Sequence, residues 1–432
     1  MEISVERYHY PIGQGTFSAQ IIKGPGGSKY VCVYDCGSVS GKGNISKYAN
    51  ELYKKLEPDK INKKGKETID LLVISHLDRD HVNGVSKLIE LFDVKKIVIP
   101  YMSKIEKIML VLDSPGGSRM LYGEDDLSPR SSLIYVINRA GDENMQFLEE
   151  LLSDVEIVES SRDVSIEYFD MNEDTPKVKR WPYKLWEFLH FSLYAGEKEF
   201  VQDIFVEEFK NSYRSKFGGK IKDPNKMTAS YLKDNWTDLR DVYVKTCSHM
   251  KETYGVDGKD IFNSSSVILY SGPADNLVGS GENYCRVHRV SKGRQVIVDY
   301  KNLDEHYREN FCYCVENNNS KYIGGWLGTG DARLADCLNI DELRVNLGQE
   351  RMNRIRVLTV PHHGSKKNSN DKFYSIFSRS RVECVVHSDP GYTFQHPHTE
   401  IEELIAKKGL VEVPVTKEPE SCYKEHLLYR YW

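Results

Sequence analysis

The chain has 432 residues, 40% hydrophobic and 28% charged, the composition of an ordinary soluble globular protein long enough for two or three domains. A formal net charge of -5 excludes a globally cationic nucleic-acid binder, so any such contact would have to come from local basic patches. No apolar run approaches a membrane span, the start lacks a basic-then-apolar signal pattern, and nine cysteines with no Cys-x-x-Cys pair suit a reduced cytoplasmic setting rather than a disulfide framework.

In chain order, residues 3–10, 16–22 and 30–34 have the β-branched and aromatic character of strands, separated by Gly13, Gly15 and a glycine turn at 24–27, which predicts an opening meander. Residues 44–56 are amphipathic and helical, and a lysine-rich connection leads to a short apolar run at 71–74, the mark of a strand buried on both faces. That run ends in Ser75-His76-Leu77-Asp78-Arg79-Asp80-His81, before a helical stretch at 82–92. His76, Asp78, Asp80 and His81 therefore crowd the C-terminal end of a central strand, where α/β proteins build their sites. Imidazole and carboxylate together suit zinc, manganese or iron. The plainer alternative is a surface loop in which Asp80 caps the helix. A strand at 95–100 continues the strand–helix alternation of an α/β layered sandwich.

From 102 to 259 the pattern changes to charged and helical stretches such as 145–152, which predicts a large, mainly helical insertion. Trp181, Tyr183, Trp186, Phe188, Phe191 and Tyr194 follow Lys177, Lys179 and Arg180, and a basic run holds Lys210, Arg214, Lys216, Lys220, Lys222 and Lys226. Such interleaving would stack bases and track phosphates; the alternative puts the aromatics in a core and the lysines on a solvated face. Strands return at 265–270, 295–300, 322–327, 356–360 and 383–388, and three of them lead into polar turns. Gly328-Thr329-Gly330-Asp331 presents one carboxylate, a candidate bridging ligand. Pro361-His362-His363-Gly364-Ser365-Lys366 presents adjacent imidazoles, and His396-Pro397-His398 a pair stiffened by proline. Ser365, Lys366, Asn368 and Ser369 would bind non-bridging phosphate oxygens.

The loop at 76–81 is similar to the metallo-β-lactamase signature His-x-His-x-Asp-His, with Asp78 where the second histidine normally stands. In its Ser-His-x-Asp-x-Asp-His form it resembles the soluble metallo-β-lactamase-like domain of the ComEC DNA-uptake competence family. Gly13-Gln14-Gly15, Asp35-Cys36-Gly37, Asn263-Ser264-Ser265-Ser266-Val267, Thr329-Gly330-Asp331-Ala332, Pro361-His362-His363-Gly364-Ser365 and His396-Pro397-His398 resemble that family's further motifs.

The resemblance implies a four-layer αββα sandwich made from 1–101 plus 260–432 around an inserted domain at 102–259. It implies a metal-dependent hydrolase, a two-metal phosphodiesterase or nuclease. The expected metal ligands are His76, Asp78, Asp80, His81, Asp331 and His363, with His362 as the alternative to His363. Asp80 and His396 are the expected catalytic residues, His396 at the leaving oxygen or a phosphate, and Ser365, Lys366, Asn368 and His398 the expected phosphate contacts. Asn263 and its serines stand where the usual fold has a further histidine, so one position is poor in ligands. Carboxylates in place of imidazoles move preference from zinc toward manganese, and the expected cofactors are two divalent ions, zinc or manganese. Two cations would stabilise both attacking and leaving oxygens of an in-line displacement. The expected partners are a phosphodiester substrate, DNA or RNA, and a protein docked on the insertion. The same scaffold would also support hydrolysis of a small ester, lactone or thioester, or a partner-binding module with a vestigial site in a multi-protein system such as phage defence.

Overall fold

The computed structural model describes residues 2–40, 42–56, 65–113, 127–141, 145–170, 184–194, 198–217, 227–255, 265–274, 284–291, 294–299, 324–377, 382–393 and 395–430. The expectations attached to Lys177, Lys179, Arg180, Trp181, Tyr183, Lys220, Lys222, Lys226, Asn263 and Ser264 lie outside the described residues.

The opening meander forms as β1 (Glu2–His9), β2 (Gly15–Lys23) and β3 (Lys29–Ser38), and α1 (Lys42–Leu56) leads to β4 (Glu67–Val73). The helical stretch after the His/Asp loop divides at Asn83-Gly84 into α2 (Arg79–Val82) and α3 (Val85–Leu91), followed by β5 (Phe92–Pro100). Next come α4 (Lys104–Asp113), α5 (Pro129–Gly141), α6 (Met145–Leu151), β6 (Glu156–Ser160), β7 (Ser165–Asp170), β8 (Lys184–Tyr194), α7 (Lys198–Phe217), α8 (Ala229–Asp234) and α9 (Trp236–Tyr254). The remainder is β9 (Ser265–Pro273), β10 (Tyr284–Ser291), β11 (Arg294–Asp299), β12 (Gly325–Gly328), α10 (Cys337–Arg354), β13 (Ile355–Thr359), α11 (Asp371–Ser375), β14 (Glu383–His387), α12 (Thr399–Lys407), β15 (Val411–Val415) and β16 (Tyr423–Arg430).

These strands make a nine-stranded sheet, β11-β10-β16-β1-β2-β3-β4-β5-β6, and a seven-stranded sheet, β15-β14-β13-β12-β9-β8-β7. Each has a parallel part, β3 to β6 in the first and β12 to β15 in the second, covered on the outside by helices. Alternation along the strands explains the layers: Leu71, Val73 and Val98 enter the core shared with Trp186, Val267, Trp326 and Val357, whereas Leu72, Ile97 and Ile99 face α1, α3 and α4. On the far side Leu327, Leu358 and Cys384 pack under α10, α11 and α12 with Leu343, Phe373 and Ile401. The result is the expected four-layer αββα sandwich.

The stretch 102–259 is woven into that sandwich. β6 extends the first sheet beside β5, and β7 and β8 extend the second beside β9. Its helices share a core with α1 and α3, with Leu133, Phe205, Leu239 and Val242 buried in the same cluster as Leu52 and Leu88. The expected boundaries at 101 and 260 therefore do not fall at the edges of the sheets. The reason is physical: a strand such as β8 is specified by its long-range partners, not by its neighbours in sequence. Trp186, Phe188 and Phe191, set against the stacking of bases, are fully buried in β8, and the Trp186 indole donates to Ser271 Oγ at 2.8 Å. Among the described residues no helix is long and apolar enough to cross a membrane.

Candidate metal centre

The C-terminal ends of the parallel strands in both sheets meet at one edge, and the motif residues gather there. β4 delivers His76, Asp78, Asp80 and His81; β12 delivers Asp331; β13 delivers His362 and His363. Asp80, His81 and His363 form one cluster whose ligand atoms all lie within 4.8 Å of one another. His363 Nε2 is 3.0 Å from Asp80 Oδ2, His81 Nε2 is 3.2 Å from Asp331 Oδ1, and His362 Nε2 is 3.6 Å from Asp331 Oδ2. His76 Nε2 faces Asp78 Oδ2 at 3.6 Å. Both His362 and His363 thus face a carboxylate of the site, and both adopt left-handed backbone, with φ of 45° and 56°. Asp80 stands inside the first turn of α2 and not at its N-cap, which is Asp78 without a side-chain capping bond, so Asp80 does not cap the helix.

Each imidazole is held from behind. His76 Nδ1 lies 3.3 Å from the Ser265 carbonyl, His363 Nδ1 2.8 Å from the His387 carbonyl, His362 Nδ1 3.0 Å from Asn368 Oδ1, and His81 Nδ1 2.9 Å from Asp35 Oδ2. Those partners leave all four Nε2 atoms facing the centre, the arrangement by which outer-shell groups orient metal ligands. In the sequence Asp35 is marked only as part of the Asp35-Cys36-Gly37 motif, with no role at the site. It is fully buried at φ 57° and also accepts from Ser75 N and Ser75 Oγ, both at 2.6 Å. Gly37 supports the same corner: a Cβ there would stand 2.5 Å from His81 N, so only glycine lets β3 close on the backbone of Asp80 and His81.

The electrostatics favour a cation. Burial opposes charge on His81, yet Asp331, Asp35 and Asp80 hold its imidazole well above the usual range. Burial likewise resists at His76 and His363, and the adjoining Asp78 and Asp80 carboxylates still raise both. The fit to a metal is seen at His81 Nε2 and Asp331 Oδ1, two buried polar atoms that face each other outside hydrogen-bonding geometry with no hydrogen-bond partner. A nitrogen and oxygen donor set of this kind suits zinc or manganese.

The residues expected to contact phosphate divide differently. Asn368 is buried and its amide is fully engaged, donating to the Asp331 carbonyl at 2.8 Å while facing His362, so it braces the site. Lys366 Nζ lies on the surface, 2.8 Å from Glu400. Ser365 is buried in the turn, and His398 Nδ1 is 3.4 Å from both Lys366 N and the Gly364 carbonyl, holding the loop. His396 is largely buried, its ring centroid 5.6 Å from that of His362 and 6.4 Å from that of His363.

No protein-family model matches the chain, and no curated protein matches it. Among solved structures the chain is similar to a long form RNase Z from yeast, at 8% identity and a TM-score of 0.32, with 90% of this chain and 37% of that chain covered. The chain thus spans well under half the length of that structure.

Proposed function

We propose that the protein is a metal-dependent hydrolase that cleaves phosphodiesters, with motifs that resemble those of the soluble ComEC-type domain. The observation that carries this reading is the convergence of four imidazole Nε2 atoms and the carboxylates of Asp78, Asp80 and Asp331, with each ring braced at Nδ1. Asp80, His81 and His363, with Asp331 beside them, would hold one divalent ion. His76 and Asp78, with Asp331 and His362 adjacent, would hold a second of lower affinity. When bound, such ions supply an activated water and charge stabilisation for an in-line displacement. The chain's own part is preorganisation: Asp35 fixes the ring orientation of His81, Asn368 couples His362 to the Asp331 loop, and the strand ends exclude water from the buried side. The adjacency of His396 to His362 supports a contact with the leaving oxygen. Carboxylate-rich donors favour hard cations and phosphate oxygens over the softer demands of a thioester.

Metal analysis of the purified protein, combined with hydrolysis assays in zinc, manganese and magnesium on single-stranded, double-stranded and cyclic diesters, tests the reading. Bound zinc or manganese and metal-restored cleavage are expected. A protein that binds neither ion and cleaves none of these substrates would sink it.

A further inference from the structure

The three loops that carry the inward-facing residues also carry, among the described residues, one exposed cation each that makes no ion pair. Arg79 stands between Asp78 and Asp80, Arg333 two residues after Asp331, and Lys367 four residues after His363. Neighbouring cations are engaged: Lys366 with Glu400 at 2.8 Å and Lys417 with Asp389 at 3.5 Å. The lysines of the basic run on α7 are engaged as well, Lys216 with Asp238 at 2.9 Å and Asp241 at 2.8 Å and Lys210 with Glu207 at 2.8 Å, while Arg214 reaches only the Asn211 side-chain oxygen at 3.4 Å. Arg333 and Lys367 lie close by construction, because a β-bridge joins Leu334 to Ser369 and Asn368 donates to the Asp331 carbonyl. Arg79 is tied to the same centre through α2, whose His81 Nε2 lies 3.2 Å from Asp331 Oδ1. An unpaired guanidinium or ammonium keeps its full charge for an incoming phosphate, whereas a paired one must first give up its carboxylate.

We propose that Arg79, Arg333 and Lys367 form a cationic rim that grips the phosphates flanking the one being cleaved, so that the substrate is a phosphodiester chain and not an isolated diester. This rests on the phosphodiesterase reading and adds the substrate class to it. The rim also replaces the basic run of α7 as the electrostatic footprint of a chain whose net charge is -5.

The test is titration of fluorescent DNA and RNA oligonucleotides of one sequence against the metal-loaded protein across a salt series. The variants are the triple Arg79→Glu, Arg333→Glu, Lys367→Glu and, separately, Lys216→Glu. The triple variant should raise Kd by about tenfold or more and lower the logarithmic salt slope by about 2, at about 0.7 for each lost contact to a single strand. Lys216→Glu should leave both unchanged, and comparison of the two nucleic acids shows which backbone the rim prefers. An unchanged Kd and slope in the triple variant, an equal loss in Lys216→Glu, or no binding by the unaltered protein would each overturn the rim. The two readings fail separately: rim-dependent binding without cleavage removes the hydrolase and leaves the rim, while cleavage that the triple variant does not weaken removes only the rim.

Discussion

Two groups of histidines are equally buried and behave in opposite ways. His190, in the middle of β8, has no hydrogen-bond partner on either ring nitrogen, and burial pushes its pKa down to about 4. His387, one layer behind the site, is pushed down to about 3 by burial and by the nearby His363 and His81. His76, His81 and His363 are no more exposed, yet all three are raised. The difference is what surrounds the ring. In the body of the sandwich burial outweighs any nearby carboxylate and the imidazole is held neutral; at the loop edge the ring meets Asp35, Asp78, Asp80 and Asp331, which favour its positive charge. Burial alone holds a histidine neutral, and it is the added carboxylates that draw positive charge to the ring.

The largest effect expected on this contrast comes from removing a central carboxylate. Asp80→Ala takes a charged group from the first turn of the short α2 and not an apolar side chain from the core, so the fold should survive while hydrolysis falls to background. Bound metal should drop from about two ions per chain to one or none, as a two-ion arrangement requires. Full activity with full metal content in that variant would remove Asp80 from the centre. Asp35→Asn ranks next. Asparagine tolerates the left-handed backbone at this position and can keep accepting from Ser75, but it lacks the charge that orients His81. Metal affinity should fall about 10- to 100-fold in a chelator competition, with activity recovered at high metal concentration. Unchanged affinity would make Asp35 purely architectural.

Why His81 was readable from sequence and Asp35 was not follows from the same geometry. His76 to His81 end an apolar run, and Asp331 and His363 end two more, so strand periodicity puts each group at the C-terminal end of a strand, and the packing of the two sheets brings those ends together. Asp35 sits inside the sequence of β3 as one acid in a glycine turn, and its importance lies in a bond to a residue 46 positions away. The glycines of that turn were legible only as a turn; their closeness to His81 needed the fold. The same limit applies to 102–259. β6, β7 and β8 stand among charged helices and pair with strands distant in sequence, so local pattern merged them into one insertion. At the loop after His363, composition singled out Lys366 and Asn368, whereas Glu400 neutralises the first and the Asp331 loop engages the second.

Asp78→His tests the weaker flank of the centre. His76 and Asp78 stand 3.6 Å apart, and Asp78 is the more solvent-exposed of the two. Replacing a hard oxygen donor with an imidazole should tighten zinc relative to manganese by a few-fold to about tenfold, with the zinc-to-manganese activity ratio moving the same way. An unchanged ratio would show that Asp78 is not a ligand.

The smallest effect is expected at the buried histidine without a partner, and it is measured in stability, not in activity. His190 faces Glu167, which pulls its pKa up, and Lys96, which pushes it down, but burial dominates and holds it near 4 against an ordinary 6.5. An imidazole with a lowered folded-state pKa contributes fully above about pH 6.5 and loses that contribution as pH falls toward about 4, where the unfolded chain binds a proton that the folded chain does not. The loss across that window is on the order of 3 kcal/mol, since each pKa unit corresponds to about 1.4 kcal/mol. His190→Leu removes both the titration and two unsatisfied nitrogens, so urea unfolding should show equal or greater stability at neutral pH and a shallower decline between pH 6.5 and 4. Metal content at neutral pH should not change, because His190 is not one of the rings that face the centre. If the variant declined as steeply as the parent, the acid sensitivity would have to lie in other groups, and the contrast between partnered and unpartnered histidines would not extend to stability.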